Sequence, residues 1–501
     1  MAATRRQLFD STLEAGHSCF RLVWALAVLA GFSECSFAET GFHAGPLFDQ
    51  FRLTLDSGRR TEAAGPFYYR EQKGPETLWA VPPLFSRETD PDVEAAGDEF
   101  LYPLMTRRHY GGEYRWQFAQ VFSFGGGRQP DGALRRRFTL FPFYFQQRST
   151  ATNDSYTALF PLYGHLRDRL FRDDIFFVLF PLYSQTRKQD VVNHNVLYPF
   201  FNWRRGDGMR GWQFWPLVGR EHKAVTTITN GFGETEIVGG HDHFFALWPI
   251  HFWDNDGIGT TNPSKFRADL PFYTCLRSPQ RDATTVLWPF FDWANDRGKQ
   301  YREWDMPWPF IEVARGKGKT ATRVFPFFSR AHNDVLESDF YLWPIYKFNR
   351  VHADPLDEHY TRILFYLFQD VTEKNTATKE EKRRVDFWPL WDWRRDFNGN
   401  TRLQLLAPLE PILPANDGIR RNWSPLWSLW RSEKNPTTGA TSQSLLWNLY
   451  RRDTRPASRR WSFLFGLFQY QSNATGRRVR LFYIPVIRTS AAPPARNSMS
   501  E

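Results

Sequence analysis

Cysteine is almost missing from this chain. The 501 residues carry 3 cysteines, and Cys19 and Cys35 both fall within the first 38 positions, which leaves Cys275. One thiol permits no intramolecular disulfide and no cysteine-based metal cluster. Long apolar runs are missing too. Past residue 38 no stretch approaches the roughly 18 uncharged apolar residues that a membrane-crossing helix needs. There is no Gly-x-Ser-x-Gly elbow, no His-Glu-x-x-His pair and no dinucleotide-binding fingerprint. Nothing sets two carboxylates across a cleft for acid–base work. No residue is therefore assigned a catalytic, cofactor-binding or metal-binding role, and a non-enzymatic protein is expected.

Aromatic residues and proline are abundant instead, at 17% and 33 residues. Phe, Tyr, Trp and Val favour strands, so the composition leans towards an all-β fold. One phrase recurs: two apolar residues, a proline, an apolar residue and an aromatic. It reads Leu140-Phe141-Pro142-Phe143-Tyr144, Leu159-Phe160-Pro161-Leu162-Tyr163 and Leu179-Phe180-Pro181-Leu182-Tyr183, and it returns around Pro199, Pro289, Pro326 and Pro344. The first prolines are separated by 19, 20 and 18 residues. A fixed short period means one small unit copied many times, and hence an array.

The N-terminus has a distinct pattern. Arg5, Arg6 and Arg21 precede the apolar run from Leu22 to Phe32, and Ser36-Phe37-Ala38 follows as a small-x-small site. This is the layout of a secretory signal peptide, expected to span 1–38, with an uncleaved anchor as the alternative. The formal charge is +10. Its basic pairs, such as Arg204-Arg205, Arg394-Arg395 and Arg451-Arg452, are scattered and form no block. They read as solvated loop ends rather than a nucleic-acid surface, and no nucleic-acid partner is expected.

Alternation places Phe340, Leu342, Pro344, Tyr346 and Phe348 on one face of an expected strand, with Tyr341, Trp343 and Ile345 on the other. The repeat is thus read as an amphipathic strand of about ten residues with the proline at its centre. Asp254-Asn255-Asp256-Gly257, Asn295-Asp296-Arg297-Gly298, Gly316-Lys317-Gly318, Asn398-Gly399-Asn400 and Asn416-Asp417-Gly418 supply turn chemistry between strands. The expected fold is a long antiparallel meander of about twenty strands. It fills a single β-repeat domain over 39–488, and a disordered tail is expected over 489–501. The Gly/Thr-rich stretch Arg220 to Gly240 is read as an extended hairpin or loop.

Exported, aromatic-rich, alternating strands resemble the class of outer-membrane β-barrels. The resemblance implies closure into a barrel in the outer membrane of a Gram-negative-type bacterium, with membrane lipid as partner and a structural or pore role. Proline weighs against closure, since it cannot donate to a ladder. The alternative is a soluble β-sandwich or solenoid array, in the periplasm or at the cell surface, that binds glycan or protein.

Three local groupings remain. Gly316-Lys317-Gly318-Lys319-Thr320 ends like a phosphate-binding loop, but Val313 and Ala314 stand where its upstream glycine is needed. His241-Asp242-His243 with His251 is the strongest metal candidate, because His241 and His243 share a strand face, but His251 is displaced by about eight residues and the preferred reading is of polar residues at a strand mouth. Asp173-Asp174 and Glu380-Glu381 are acidic pairs among basic neighbours.

Overall fold

Proline has no N–H to give to a ladder and holds φ near −65°, so a unit repeated around proline places it where the chain reverses. The computed structural model describes residues 43–129, 132–151, 154–229, 235–474 and 476–490. The expected signal segment lies outside these residues, as do Cys19, Cys35 and 491–501. The proline phrase is a turn and not a strand centre, which corrects the expected phase of the repeat. The strand Arg172–Val178 ends, Leu179 to Leu182 reverse the chain, and Tyr183–Lys188 returns. The amide of Leu182 donates to the carbonyl of Leu179 at 2.8 Å to close that reversal. Phe340 and Tyr346 therefore belong to neighbouring strands, Leu336–Tyr341 and Tyr346–Ala353.

Each period contains two reversals and two short strands. Among the described residues 43 strands form one antiparallel meander, each pairing with the next, in place of the expected twenty or so. The ladder is not closed into a barrel, contrary to the closure that the outer-membrane resemblance implied. A separate hairpin, Thr226–Thr229 with Thr235–Val238, occupies the Gly/Thr-rich stretch read as an extended hairpin.

All the aromatic-proline turns lie along one edge of the sheet. Among the described residues fifteen of the sixteen cis X–Pro bonds are on this edge, and Asp354–Pro355 is on the other. Where proline is lacking, as at Leu364-Phe365 and Leu464-Phe465, both residues take positive φ instead. Leucine also takes positive φ at the start of several proline turns, including Leu179, Leu197 and Leu342. A β-branched residue would suffer most in that region, which accounts for leucine in these turns. Successive turns also bond to one another, Leu179 N to Leu162 O at 2.5 Å and Leu197 N to Leu182 O at 2.7 Å, so pairing continues through the reversals.

Polar reversals form the opposite edge, including Asp207-Gly208 and Gly316 to Gly318. Two expected turns lie elsewhere. Asp254 to Asp256 belong to the strand His251–Ile258, and Asn416 caps the helix Asp417–Asn422, its side chain accepting from the amide of Ile419 at 3.1 Å.

One face of the sheet holds a buried spine. Many strands contribute the residue second from the apolar edge, as in the paired run Ala158, Gly164, Phe177, Ser184, Asn195 and Asn202. All six are buried. Phe160 and Phe180, which precede their prolines, fold over this row and pack on Phe145, Ala158, Leu166 and Phe177. Small residues leave space for those rings, and the polar ones bond along the row, Asn195 Nδ2 to Ser184 Oγ at 3.1 Å.

The two ends of the array meet through side chains. Between the strands Thr401–Leu405 and Trp430–Asn435 the chain leaves the ladder and forms the short helices Asp417–Asn422 and Ser424–Trp427. Trp423 Nε1 donates to Tyr102 O at 2.8 Å, Asn422 Nδ2 to Glu99 Oε2 at 2.6 Å, and Arg421 Nη2 to Glu99 Oε1 at 2.8 Å. Further on, both terminal nitrogens of Arg431 reach Glu62 at 2.8 Å. Arg455 and Arg460 donate to the carbonyls of Leu53 and Gln50. Burial pushes the Glu62 carboxyl upward, but Arg431 and Arg60 outweigh it and hold that group well below the usual carboxylate range.

Candidate functional site

The turn edge carries large apolar side chains into solvent. Phe143, Phe272 and Phe327 are 55%, 68% and 60% exposed, and Leu342, Trp343 and Ile345 of one turn stand at 55%, 44% and 46%. Single exposed apolar residues need no explanation, but a row that runs along a whole sheet edge does.

On the face away from the spine, polarity changes in steps from this edge. The first row remains apolar, as in Tyr183, Val196, Phe201, Phe214 and Val218, each paired with the next. Phe201 and Phe214 stack with centroids 4.7 Å apart. Two residues further in the row is mixed: His194 stacks on Trp203 at 5.1 Å, followed by Trp212 and Arg220. Two residues further again the row is polar, with Arg187, Arg205, Arg210, Lys265, Arg277 and Arg302 interspersed with Val192, His222, Asp242, Asn255, Asp282 and Asn295. Strand rise sets the apolar row and this polar row about 13 Å apart. Sequence reading missed this edge because it assigned the apolar phrases to strand interiors. The signal was the proline, whose missing N–H marks the reversal.

The histidines separate as strand alternation requires. His241 and His243 lie on the spine side of Gly240–Ala246, with rings stacked 4.4 Å apart. Glu221 joins them from Val218–Lys223, its Oε1 3.0 Å from His241 Nε2. Ligand atoms of these three residues all lie within 4.8 Å of one another. His251 is on the opposite face, where its Nδ1 meets Asp269 at 2.5 Å. Glu221 was not foreseen, because the intervening hairpin separates it by 20 residues from His241.

Gly316 to Thr320 is a plain reversal between Ile311–Gly316 and Thr320–Val324. Lys319 Nζ is held by Glu303 at 2.6 Å and Glu312 at 2.7 Å, which ties it to carboxylates rather than to a phosphate. Asp305 lies beside them, its carboxyl raised to about 7 by burial and then by Glu303 and Glu312. Asp174 belongs to a strand and pairs with His165 at 3.0 Å. Glu380 precedes the strand Glu381–Phe387, and its backbone carbonyl accepts from Asn375 at 2.9 Å. No helix among the described residues is long and apolar enough to cross a membrane. No protein-family model matches the chain, and no curated protein matches it.

Proposed function

We propose that this chain is a non-enzymatic scaffold of the bacterial envelope that lies on an anionic lipid surface, with outer-membrane lipid as its partner. The observation that carries this reading is the continuous apolar turn edge, with the cations Arg187, Arg205 and Arg210 in a polar row about 13 Å away. An interfacial element buries its apolar part roughly 5–10 Å into the headgroup and acyl boundary. That depth takes in the turns and the first outer row. The mixed aromatic row then falls at headgroup level, where aromatic rings with a polar tip are favoured. Arg187, Arg205 and Arg210 come to rest against phosphates, each worth about 1 kcal/mol near an anionic surface.

An open ladder does not span a bilayer, since lipid offers no partner for the backbone at a sheet edge. Surface seating therefore replaces the pore. Export of the chain rests on the pattern of residues 1–38. A second reading, glycan binding, has support from Trp203 and Trp212, which are 45% and 53% exposed and so offer flat stacking surfaces.

Vesicle flotation tests the proposal. Purified protein is expected to float with vesicles containing phosphatidylglycerol and to float less with pure phosphatidylcholine, with binding falling as salt rises. Failure to float with either refutes lipid seating and favours a glycan screen.

A further inference from the structure

We propose that Glu221, His241 and His243 bind one divalent transition-metal ion, of which zinc is the natural representative. The donor set arises from strand alternation and register. His241 and His243 are two apart and so project to one face. Glu221 is directly opposite His243 on the neighbouring strand. A bulge at Gly240 to Asp242 shifts the register beside His241. Glycine permits it: a Cβ on Gly240 would lie 2.5 Å from the carbonyl oxygen of Lys223. Bulges of this type re-aim side chains and recur beside functional sites.

The geometry matches metal chemistry. Bonds of 2.0–2.1 Å in a tetrahedral site place ligand atoms about 3.3 Å apart. The separation of His241 Nε2 from Glu221 Oε1 is 3.0 Å. Two imidazoles and a carboxylate form the N,N,O set of open zinc sites, which keep a further position for water. The three side chains are 19%, 19% and 35% exposed for Glu221, His241 and His243, so an ion and a water can enter.

Outer partners are in place as well. Arg204 Nη1 donates to Glu221 Oε2 at 2.7 Å, which leaves Oε1 directed at His241. Asp256 Oδ1 is 2.8 Å from His243 Nε2, the place of a carboxylate that orients a ligand ring. Of the metal-capable groups among the described residues, this one alone contains imidazole; the other, Glu303, Asp305 and Glu312, contains the Lys319 ammonium. The ion joins Val218–Lys223 to Gly240–Ala246, the two strands between which the hairpin Thr226–Val238 departs. It would clamp the sheet where its sequence continuity is broken.

The test uses the full chain, stripped by chelator and titrated with cobalt(II) alone and with zinc(II) alone. One saturable cobalt ion per chain is expected, with the visible bands of a four- or five-coordinate site. The bands should persist in His251→Ala and vanish in His241→Gln and His243→Gln, with at least tenfold weaker zinc binding. Zinc-edge X-ray absorption on the parent protein reads the ligands without any substitution, and two imidazoles with oxygen donors are expected. Absence of saturable binding, absence of imidazole scattering, or binding that survives both glutamine variants would each overturn the proposal.

Discussion

Glu62 is the point at which the ends of the array depend on one carboxylate. Its Oε1 accepts from Arg60 Nε at 2.6 Å and Arg431 Nη1 at 2.8 Å, while Oε2 accepts from Arg431 Nη2 at 2.8 Å and Asn448 Nδ2 at 2.5 Å. The substitution Glu62→Gln keeps the shape and removes the charge. Arg60 retains Glu71, whereas Arg431 loses its two-pronged partner while its side chain stays 16% exposed. Breaking a buried pair on one side costs about 3–5 kcal/mol. The loss should be local, because the contacts joining 49–102 to 416–460 are side-chain bonds and the ladder itself stays intact. Hydrogen exchange read by mass spectrometry is therefore expected to speed up over these two segments and stay unchanged over 160–300.

The pH dependence has a defined sign. The Glu62 carboxyl is held below its ordinary 4.5, so its stabilisation is present above that value and is lost as pH falls through the folded one. The difference between parent and variant should accordingly shrink in acid. Unchanged exchange in both segments at neutral pH, or acceleration spread evenly along the chain, would refute the reasoning.

Three other variants probe the remaining architecture. Changing Phe143, Phe272 and Phe327 together to serine removes about 1.4 kcal/mol of insertion energy at each half-exposed ring. The total of about 4 kcal/mol weakens vesicle partitioning roughly a thousandfold, while the same sites changed to leucine stay close to the parent. Asp386 is opposite Asp392 and fully buried, and burial followed by Asp392 raises it to about 7. A carboxyl raised by folding costs stability progressively from pH 3.8 up to about 7, so Asp386→Asn should raise the denaturation midpoint at pH 8 and lose that advantage at pH 4. Gly164→Ala puts a methyl 2.3 Å from Ala158 Cβ and 2.6 Å from the Phe177 ring, and urea unfolding should show a loss of about 1–3 kcal/mol.

Much of the fold can be read from the repeat, though its phase cannot be read from hydrophobicity alone. Period, strand-rich composition and meander follow from the phrase around Pro161, Pro181 and Pro199. The phase was misread because these turns are as apolar as a strand centre, being on the edge that faces away from the polar reversals. Asn, Asp and Gly marked reversals correctly at Gly316 to Gly318. At Asp254 to Asp256 they did not, because there the acidic residues face His243 across a ladder. The meeting of Glu62 with Arg431 is 369 positions apart in sequence, and no local pattern records it. The histidine pair was legible from its spacing of two; Glu221 required the register that only pairing across the interrupted strand supplies.

The join between the ends has a consequence for how such a chain can change. Repeat arrays with free ends gain or lose units at little cost, because each unit touches only its neighbours. Here Glu62, Glu99 and Tyr102 recognise Arg431, Arg421 and Trp423 across the whole series. The number of hairpins between them is thereby fixed, as the number of staves is fixed by a hoop. Duplication or deletion of one period, such as residues 163–182, would leave neighbouring strands able to pair and still part the two ends.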